Sequence, residues 1–209
     1  MPNWCMNELT VTGPTEEIKR FVYSNLGLPA HYPPVYSKDG KVIIDSPVAT
    51  TPYFCFNAQV PTPKEVLEIG YDGHDKISRF NQKYAYHGHT IFPIDGYHWN
   101  IANWGTKWDI YSDKITPKDM GWQAGAEKIF LGFDTAWSPP TAWLKAIAEL
   151  FPIFSFKLHY EEPGCYFAGD LYAEEGVCWD DSYDDYRCRQ IFACNEDNLE
   201  DEAVDTSAM

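Results

Sequence analysis

The chain has 209 residues, a formal net charge of −15, and 44% hydrophobic and 16% aromatic side chains. This length allows one large domain or two small ones, with a core that needs no metal or disulfide. The negative charge argues against non-specific nucleic-acid binding. No apolar run reaches the roughly 20 residues of a membrane span.

The first predicted elements are a strand and a helix. CMNELTVTG (5–13) alternates like a half-buried strand, with one face made of Cys5, Asn7, Leu9 and Val11 and the other of Met6, Glu8, Thr10 and Thr12. GPTEEIKRFVYSN (13–25) breaks that strand with Gly-Pro, and its two glutamates favour the positive end of a helix dipole. The apolar stripe of this predicted helix is Ile18, Phe21 and Val22.

The following stretch is irregular. Residues 27–52 contain five prolines and little periodicity, so we expect an insertion with one short hairpin around KVIID. YFCFNAQV (53–60) predicts a second strand. Thr62-Pro63-Lys64-Glu65 has the pattern of a capping box, which predicts a short helix that ends near Gly70.

The middle of the chain predicts one helix and two strands. Residues 74–90 space apolar groups as a helix does. HWNIANWGTKWDIYS (98–112) is strand-like, with a break at Gly105, and KIFLGFDTAW (128–137) predicts a further strand.

The last predicted elements are a helix, a hairpin and a tail. SPPTAWLKAIAELFP (138–152) gives the clearest helix signal, with Ser138 as its cap and prolines in its first turn. Its apolar face is Trp143, Ile147 and Leu150. FSFKLHYEEPGCYFAGDLYAE (154–174) predicts a hairpin with a Glu-Pro-Gly turn. After Asn195 the acidic composition predicts disorder.

Helices that alternate with strands and hairpins predict an α+β fold of ferredoxin-like type, an antiparallel sheet with helices packed on one face. We expect a single domain over 1–176 and a partly disordered acidic C-terminal extension over 177–209. From Glu174 onward the chain has 12 acidic and two basic residues. Such an extension suits a basic protein partner.

Several motifs in order resemble a known family. They are MPNWCMNELTVTGP, FNAQVPTP, NWGTKWD, FDTAWSPP and FPIFSFKLHYEEPGCYFAG. Together they resemble the YubB-like proteins of conjugative plasmids and bacteriophages, whose C-terminal part is a ferredoxin-like domain of Api-type phage proteins. The resemblance extends from Met1 to about Tyr172. It implies this fold and a mobile-element origin, and it implies no enzyme activity or cofactor.

The segment NWGTKWD has two interpretations. Trp104, Thr106, Lys107 and Trp108 can form a ligand platform, with the lysine facing an anion and an indole stacking on a base. The favoured interpretation is structural: the indoles fill space between sheet and helix, and Gly105 allows a bulge. Gly-Thr-Lys is not a phosphate loop, because the glycine spacing of that motif is missing.

Trp137 in FDTAWSPP precedes a predicted helix N-terminus, where backbone N–H groups can hold an anion. Capping by Ser138 explains the same residues without a ligand. The segment DDSYDDY offers Asp180, Asp181, Tyr183, Asp184 and Asp185 as candidate contacts for a basic protein patch, although such runs are usually solvated loops.

The signals for a metal or a nucleophile are weak. His87 and His89 could share a metal with His98 or a cysteine, and a zinc site could combine Cys188 and Cys194 with Cys165 or Cys178. Known zinc spacings are missing, so we expect no metal, cofactor or catalytic residue. The six cysteines without Cys-x-x-Cys, and an N-terminus that lacks signal-peptide features, favour reduced thiols in a cytoplasm.

Three functions follow from these features. The leading one is a non-enzymatic phage- or plasmid-encoded protein in the bacterial cytoplasm that binds a host or phage protein with a basic surface, in counter-defence or host takeover. The second is a nucleotide sponge with an aromatic cleft around Trp104, Lys107 and Trp108. The third is an enzyme with His87, His89 or Cys165 at its site.

Overall fold

The computed structural model describes residues 3–32, 35–36, 42–44, 49–71, 95–110 and 114–192. The strands are β1 (Trp4–Thr12), β2 (Leu26–Gly27), β3 (Val35–Tyr36), β4 (Val42–Ile44), β5 (Tyr53–Phe54), β6 (Lys128–Ala136), β7 (Ser155–Glu162), β8 (Phe167–Glu174) and β9 (Val177–Ser182). The helices are α1 (Thr15–Ser24), α2 (Lys64–Ile69), α3 (Gly96–Trp104) and α4 (Thr141–Leu150), with a 3-10 turn at Phe56–Ala58 and a helical segment at 185–192.

Five antiparallel strands form the main sheet in the order β6-β1-β7-β8-β9. Because β6 and β7 both run antiparallel to β1 and flank it, they are parallel to each other and form a split β-α-β unit with α4. The strands β7, β8 and β9 follow as a meander. The predicted α+β class with an antiparallel sheet is confirmed, as is the short hairpin within 27–52, which is β3–β4.

One face of this sheet is covered by α1 and α4. The odd-numbered residues from Cys5 to Val11 are buried there, as the alternation predicts. We define this covered face by its apolar residues, which pack against α1 and α4: Leu9, Val11, Ile129, Leu131, Phe133, Phe156, Leu158 and Leu171. The helices contribute Ile18, Phe21, Val22, Trp143, Leu144 and Ile147, whereas Leu150 is 57% exposed and does not join the predicted stripe.

The opposite face of the sheet is the open face, which carries Glu8, Phe130, Lys157, Asp170 and Trp179 in strand register. The helical segment 185–192 packs against one end of it through Ala168, Cys188 and Phe192.

The prediction of a strand over 98–112 is wrong where the structure describes it, because residues 96–104 form α3 and 105–110 form no strand. The Asp95 carboxylate accepts the His98 N–H at 3.0 Å and caps the helix. Gly105, with φ of +89°, ends it, and its N–H bonds to the carbonyls of Asn100 and Ile101. These two caps outweigh the strand propensity of the aromatic residues between them.

The predicted strand over 53–60 is limited to β5, and a 3-10 turn follows it. The Asp109 carboxylate accepts the N–H groups of Phe56 at 2.7 Å and Asn57 at 3.2 Å, which bends the chain here. The predicted capping box is also wrong, since Pro63 precedes α2 and no side chain caps that helix. The end of α2 at Gly70 is as predicted.

Residues 177–192 contain β9 and the helical segment, so the predicted domain boundary after residue 176 falls in the turn between two strands of one sheet. The predicted helix at 74–90 and the tail after Asn195 lie outside the described residues. Within the described ranges, none of the helices combines the length and apolar character needed to cross a bilayer.

Candidate functional site

Two of the predicted ligand residues, Trp104 and Thr106, lie in the core. Both are 0% exposed. The indole N–H of Trp104 donates to the Val60 carbonyl at 2.9 Å, and the Thr106 hydroxyl donates to the Ala136 carbonyl at 3.0 Å. Their polar groups are therefore satisfied inside the protein, and neither side chain faces a ligand surface.

The backbone of Gly105 lies directly against the first turn of α4. A Cβ at this position would be 2.8 Å from the Thr141 nitrogen and 3.1 Å from the Ala142 nitrogen. The predicted capping role of Ser138 is wrong: its hydroxyl donates to the Gly105 carbonyl at 2.7 Å, and no side chain caps α4. The protein's own backbone thus occupies the place where an anion would approach the helix beside Trp137.

Lys107, Trp108 and Trp137 do come together at the surface, where Trp4 joins them. The Lys107 Nζ lies 4.8 Å from the centroid of the Trp137 ring, and the Trp108 and Trp4 rings are 6.2 Å apart. Trp4 and Trp137 are 44% and 38% exposed. We name these four residues the tryptophan corner. Trp4 was not among the predicted ligand residues. Its pairing with Ala136, the neighbour of Trp137, brings it to this corner.

The predicted protein-contact residues span the end of β9 and the start of the helical segment. Asp180, Asp181, Asp184 and Asp185 are exposed, and Tyr183 is half-buried. Since successive strand residues point to opposite faces, Asp181 lies on the open face and Asp180 on the other side. The carboxylates are therefore spread around the edge of the sheet.

Three of these carboxylates also hold the local structure. Asp180 accepts the hydroxyl of Tyr160 at 3.2 Å, and Asp181 lies 3.2 Å from the guanidinium of Arg187. Asp184 accepts the Arg187 N–H at 2.9 Å, which caps the helical segment.

Asp170 on β8, which no sequence motif marks, collects four donors on the open face although it is only 4% exposed. Its Oδ1 is 2.8 Å from Nδ1 of His159. Its Oδ2 accepts the hydroxyls of Tyr172 at 2.9 Å and Tyr183 at 2.8 Å, and it lies 3.3 Å from Nζ of Lys157. We name these five residues the Asp170 cluster. Through Tyr183 it fixes the connection between β9 and the helical segment to the sheet.

The environment shifts two pKa values of this cluster in opposite directions. Burial acts to raise the pKa of Asp170, but the donors and the Lys157 charge outweigh it and lower that pKa. Burial acts to lower the pKa of His159, but its hydrogen bonds to Glu161 and Asp170 outweigh it and raise that pKa. Both imidazole nitrogens face carboxylates, so His159 binds strands together and has no free nitrogen to activate a nucleophile.

A row of side chains with three aromatic groups crosses the open face and shares Lys157 and Tyr172 with the Asp170 cluster. The strand register aligns Phe130, Thr10, Lys157, Tyr172 and Trp179 across all five strands. Trp179 stacks on Tyr172, with centroids 5.7 Å apart and planes at 14°. Phe130 and Trp179 are 48% and 46% exposed. The open face therefore presents apolar surface to solvent at both edges of the sheet.

No group of three or more His, Cys, Asp or Glu side chains among the described residues is arranged to hold a metal ion. His87, His89 and Cys194 lie outside these residues. His98 Nδ1 is 2.7 Å from Oδ1 of Asp95. Hydrogen bonding to Glu162 raises the pKa of the exposed Cys165 thiol, which disfavours the thiolate that a nucleophile needs. Cys188 is buried, and Cys178 is partly buried.

Among curated proteins, no sequence matches this chain. A solved structure with which it aligns is protein api92 from Yersinia pseudotuberculosis, at 11% identity and a TM-score of 0.42, over 88% of this chain and 99% of that one. Residues 107–207 match the family described as the ferredoxin-like domain in Api92-like protein, and this match runs past Tyr172, where the predicted resemblance ended. The ferredoxin-like class and the likeness to an Api-type domain are confirmed. In sequence, residues 107–207 are thus similar to the ferredoxin-like domain in Api92-like protein.

Proposed function

We propose that this chain is a non-enzymatic binding protein that docks on a host protein with a basic surface, through the open face of its sheet. The observation that carries the proposal is the exposure of apolar side chains on the face that α1 and α4 leave uncovered. Met6, Phe130 and Trp179 are each more than two-fifths exposed there, at 43%, 48% and 46%. These apolar groups are spread from one edge of the open face to the other, and together they offer a partner several separate contact points.

The charge of the open face favours a basic partner. In strand register this face carries six carboxylates against two lysines: Glu8, Asp134, Glu161, Asp170, Glu174 and Asp181 against Lys128 and Lys157. Charge complementarity raises association rates and selects partners. The same sign disfavours nucleic acid, although exposed sheet aromatics resemble a base-stacking platform.

The biological setting of the proposal comes from the sequence resemblance to plasmid and phage proteins. A small protein of such an element that enters a bacterial cytoplasm meets host proteins first, and counter-defence or host takeover would both use such a contact. An experiment that detects the contact therefore tests the proposal for counter-defence and for host takeover alike.

Site-specific photo-crosslinking in a bacterial lysate tests the proposal. p-Benzoylphenylalanine replaces Phe130 or Trp179 on the open face, and the matched control carries it at Ile153, which is 57% exposed in the turn after α4. We expect positions 130 and 179 to capture one partner of high isoelectric point and position 153 to capture none. The yield of crosslinked partner should fall as the salt concentration rises. Equal capture at all three positions, no capture, or an acidic partner would contradict the proposal.

The tryptophan corner favours a second candidate function, that of a small-molecule binder. The Lys107 ammonium above the exposed Trp137 ring offers a cation and a stacking surface to a nucleotide. Because Trp104 and Thr106 face inward, the ligand would contact Trp4, Lys107, Trp108 and Trp137. Thermal shift against a panel of nucleotides, with Trp137→Ala as the site variant and Trp179→Ala as its control, tests this. Absence of stabilisation by every nucleotide would dismiss it.

A further inference from the structure

We propose that β9 receives an extended segment, rich in lysine or arginine, from the partner as a sixth strand of the sheet. This inference rests on the proposed function and specifies how the basic partner is held. The starting observation is topological: β9 lies at the edge of the main sheet and pairs with β8 alone in the strand order.

The turn between β8 and β9 determines which backbone groups of β9 point outward. Glu175 and Gly176 have φ of +51° and +79° and form a two-residue turn, which closes on the hydrogen-bonded pair Glu174 and Val177. Hydrogen-bonded and non-hydrogen-bonded pairs alternate in an antiparallel ladder. Trp179 and Asp181 therefore bond to β8 as Val177 does.

By the same alternation, Cys178, Asp180 and Ser182 direct their N–H and C=O groups away from the sheet. The bond from the Tyr183 N–H to the Ala168 carbonyl, at 2.9 Å, continues this register. In the part of the chain that the structure describes, none of the backbone bonds formed outside regular elements involves these three residues. An edge with open donors and acceptors is the template for strand addition.

The charges around this edge determine what can pair with it. Six carboxylates lie on β9 or next to its ends: Glu174, Glu175, Asp180, Asp181, Asp184 and Asp185. Arg187, a nearby cation, is paired with Asp181. A second copy of β9 would place like charges opposite each other, which destabilises a strand pair. A basic segment would neutralise them.

The side chains of β9 further specify the added strand. On the open face, Val177 and Trp179 are 65% and 46% exposed, and Asp181 follows them. An added strand that alternates cations with apolar residues would match both the apolar and the acidic side chains of β9. One face of the added strand would contact Val177 and Trp179, and each of its faces would have an aspartate of β9 nearby.

A peptide of about ten residues that alternates lysine and valine is the probe, since this is the length of a long strand. One control has the same sequence with every backbone nitrogen methylated, which keeps the charge and removes all N–H donors. A second control replaces lysine with glutamate. Fluorescence anisotropy measures affinity, and amide hydrogen exchange measures protection.

We expect the lysine–valine peptide to bind, with about tenfold slower exchange at the Cys178 and Asp180 amides and little change at Trp179 and Asp181, whose amides already bond to β8. The methylated peptide should bind about tenfold more weakly or worse, and the glutamate peptide should not bind. Asp180→Asn combined with Asp181→Asn should weaken binding. Its matched control, Glu16→Gln combined with Glu65→Gln on α1 and α2, should not.

Failure of this inference is distinguishable from failure of the proposed function. Binding without protection of Cys178 and Asp180, or equal binding of the methylated peptide, would overturn strand addition but leave a basic partner in place. No binding of the lysine–valine peptide would also overturn strand addition. The crosslinking at positions 130 and 179 tests whether a partner docks on the open face, whichever of these results the peptides give.

Discussion

The two faces of the five-stranded sheet are built from the same strands and have opposite character. On the covered side of the sheet, aromatic rings pack closely: Trp143 lies edge to face against Phe54, with centroids 5.6 Å apart, and is tilted against Phe56 at 5.0 Å. On the open face, hydrogen bonds to Asp170 take the place of apolar packing, and the rings of Phe130 and Trp179 are half exposed. The alternation of strand residues lets one face supply stability while the other remains available for a partner.

The two sides of the sheet also differ in the pKa of their buried carboxylates. Asp109 caps the 3-10 turn through backbone N–H groups, and burial raises its pKa to about 6. Asp170 is surrounded by hydroxyls, an imidazole and an ammonium, which lower its pKa despite burial. At Asp109 the backbone N–H donors do not offset the desolvation of the carboxylate, whereas at Asp170 the hydrogen bonds from Tyr183, His159 and Tyr172 do so together with the Lys157 charge.

The largest expected effect distinguishes Trp143 of α4, which packs on the covered face, from Trp179 of β9 on the open face. Trp143→Ala should lower the free energy of unfolding by about 3–5 kcal/mol, because it leaves a cavity among buried rings. Trp179→Ala should change it by about 1 kcal/mol or less, because the ring is half exposed and its surface is already solvated. Urea denaturation followed by circular dichroism measures both. Comparable losses in the two variants would mean that the open face is as important for stability as the covered one.

A pair of glycines separates close packing from backbone strain. Gly105 and Gly125 both have positive φ, at +89° and +88°. A Cβ added to Gly105 would meet backbone atoms of α4, whereas one added to Gly125 would have no atom of the described residues within 4 Å. Gly125→Ala should cost about 1–2 kcal/mol from the left-handed backbone alone. Gly105→Ala should cost about 2–5 kcal/mol, because the methyl group also meets the first turn of α4.

Thermal or urea denaturation of these two variants gives the difference directly. If Gly105→Ala and Gly125→Ala lost the same stability, the loop would not be held against α4 as tightly as the distances indicate. The tryptophan corner should then also be free to rearrange, since Lys107 and Trp108 follow this glycine.

Most of the main sheet could be predicted from the sequence, because its strands alternate cleanly and α4 has a continuous apolar stripe. Three segments could not, and one of them is β9, which lies in the stretch predicted to be an acidic extension. The 3-10 turn after β5 depends on Asp109, 53 residues from Phe56 in the chain, and no local pattern shows that contact. The helix α3 was missed although Asp95 and Gly105 are ordinary cap residues, since the tryptophans between them favoured a strand.

The candidate site was harder to predict than the fold, for a physical reason. Alternation shows that a strand has two faces, but the tertiary packing of α1 and α4 decides which one remains open. Trp104 and Trp108 look alike in the sequence, yet one is fully buried and the other reaches the tryptophan corner. The Asp170 cluster joins residues of β7, β8 and Tyr183, which directly follows β9, so only the register of the meander brings them together.

The buried Asp109 should make stability depend on pH. Because its pKa is raised from 3.8 to about 6 in the folded protein, its contribution is fully present below about pH 4 and is lost as the pH rises through 6. The loss should be on the order of 2–3 kcal/mol. Asp109→Asn cannot ionise, so its free energy of unfolding should lack this decline between about pH 4 and 7. Parallel declines in the two proteins would show that Asp109 ionises without cost.

Asp170 should produce the opposite dependence, with a smaller effect. Because the pKa of Asp170 is lowered, the stability that Asp170 contributes is present above pH 3.8 and is lost as the pH falls through the lowered pKa. Because the pKa of His159 is raised, the stability that His159 contributes is present below pH 6.5 and is lost as the pH rises through the raised pKa. Asp170→Asn should therefore lower the His159 pKa in an NMR titration and cost about 1–2 kcal/mol near neutral pH. Tyr172→Phe removes one neutral donor and should leave the His159 titration almost unchanged. If Asp170→Asn also left the His159 titration unchanged, Glu161 alone would stabilise the imidazolium. The polar contacts of the open face would then centre on β7 and not on β8, the neighbour of β9.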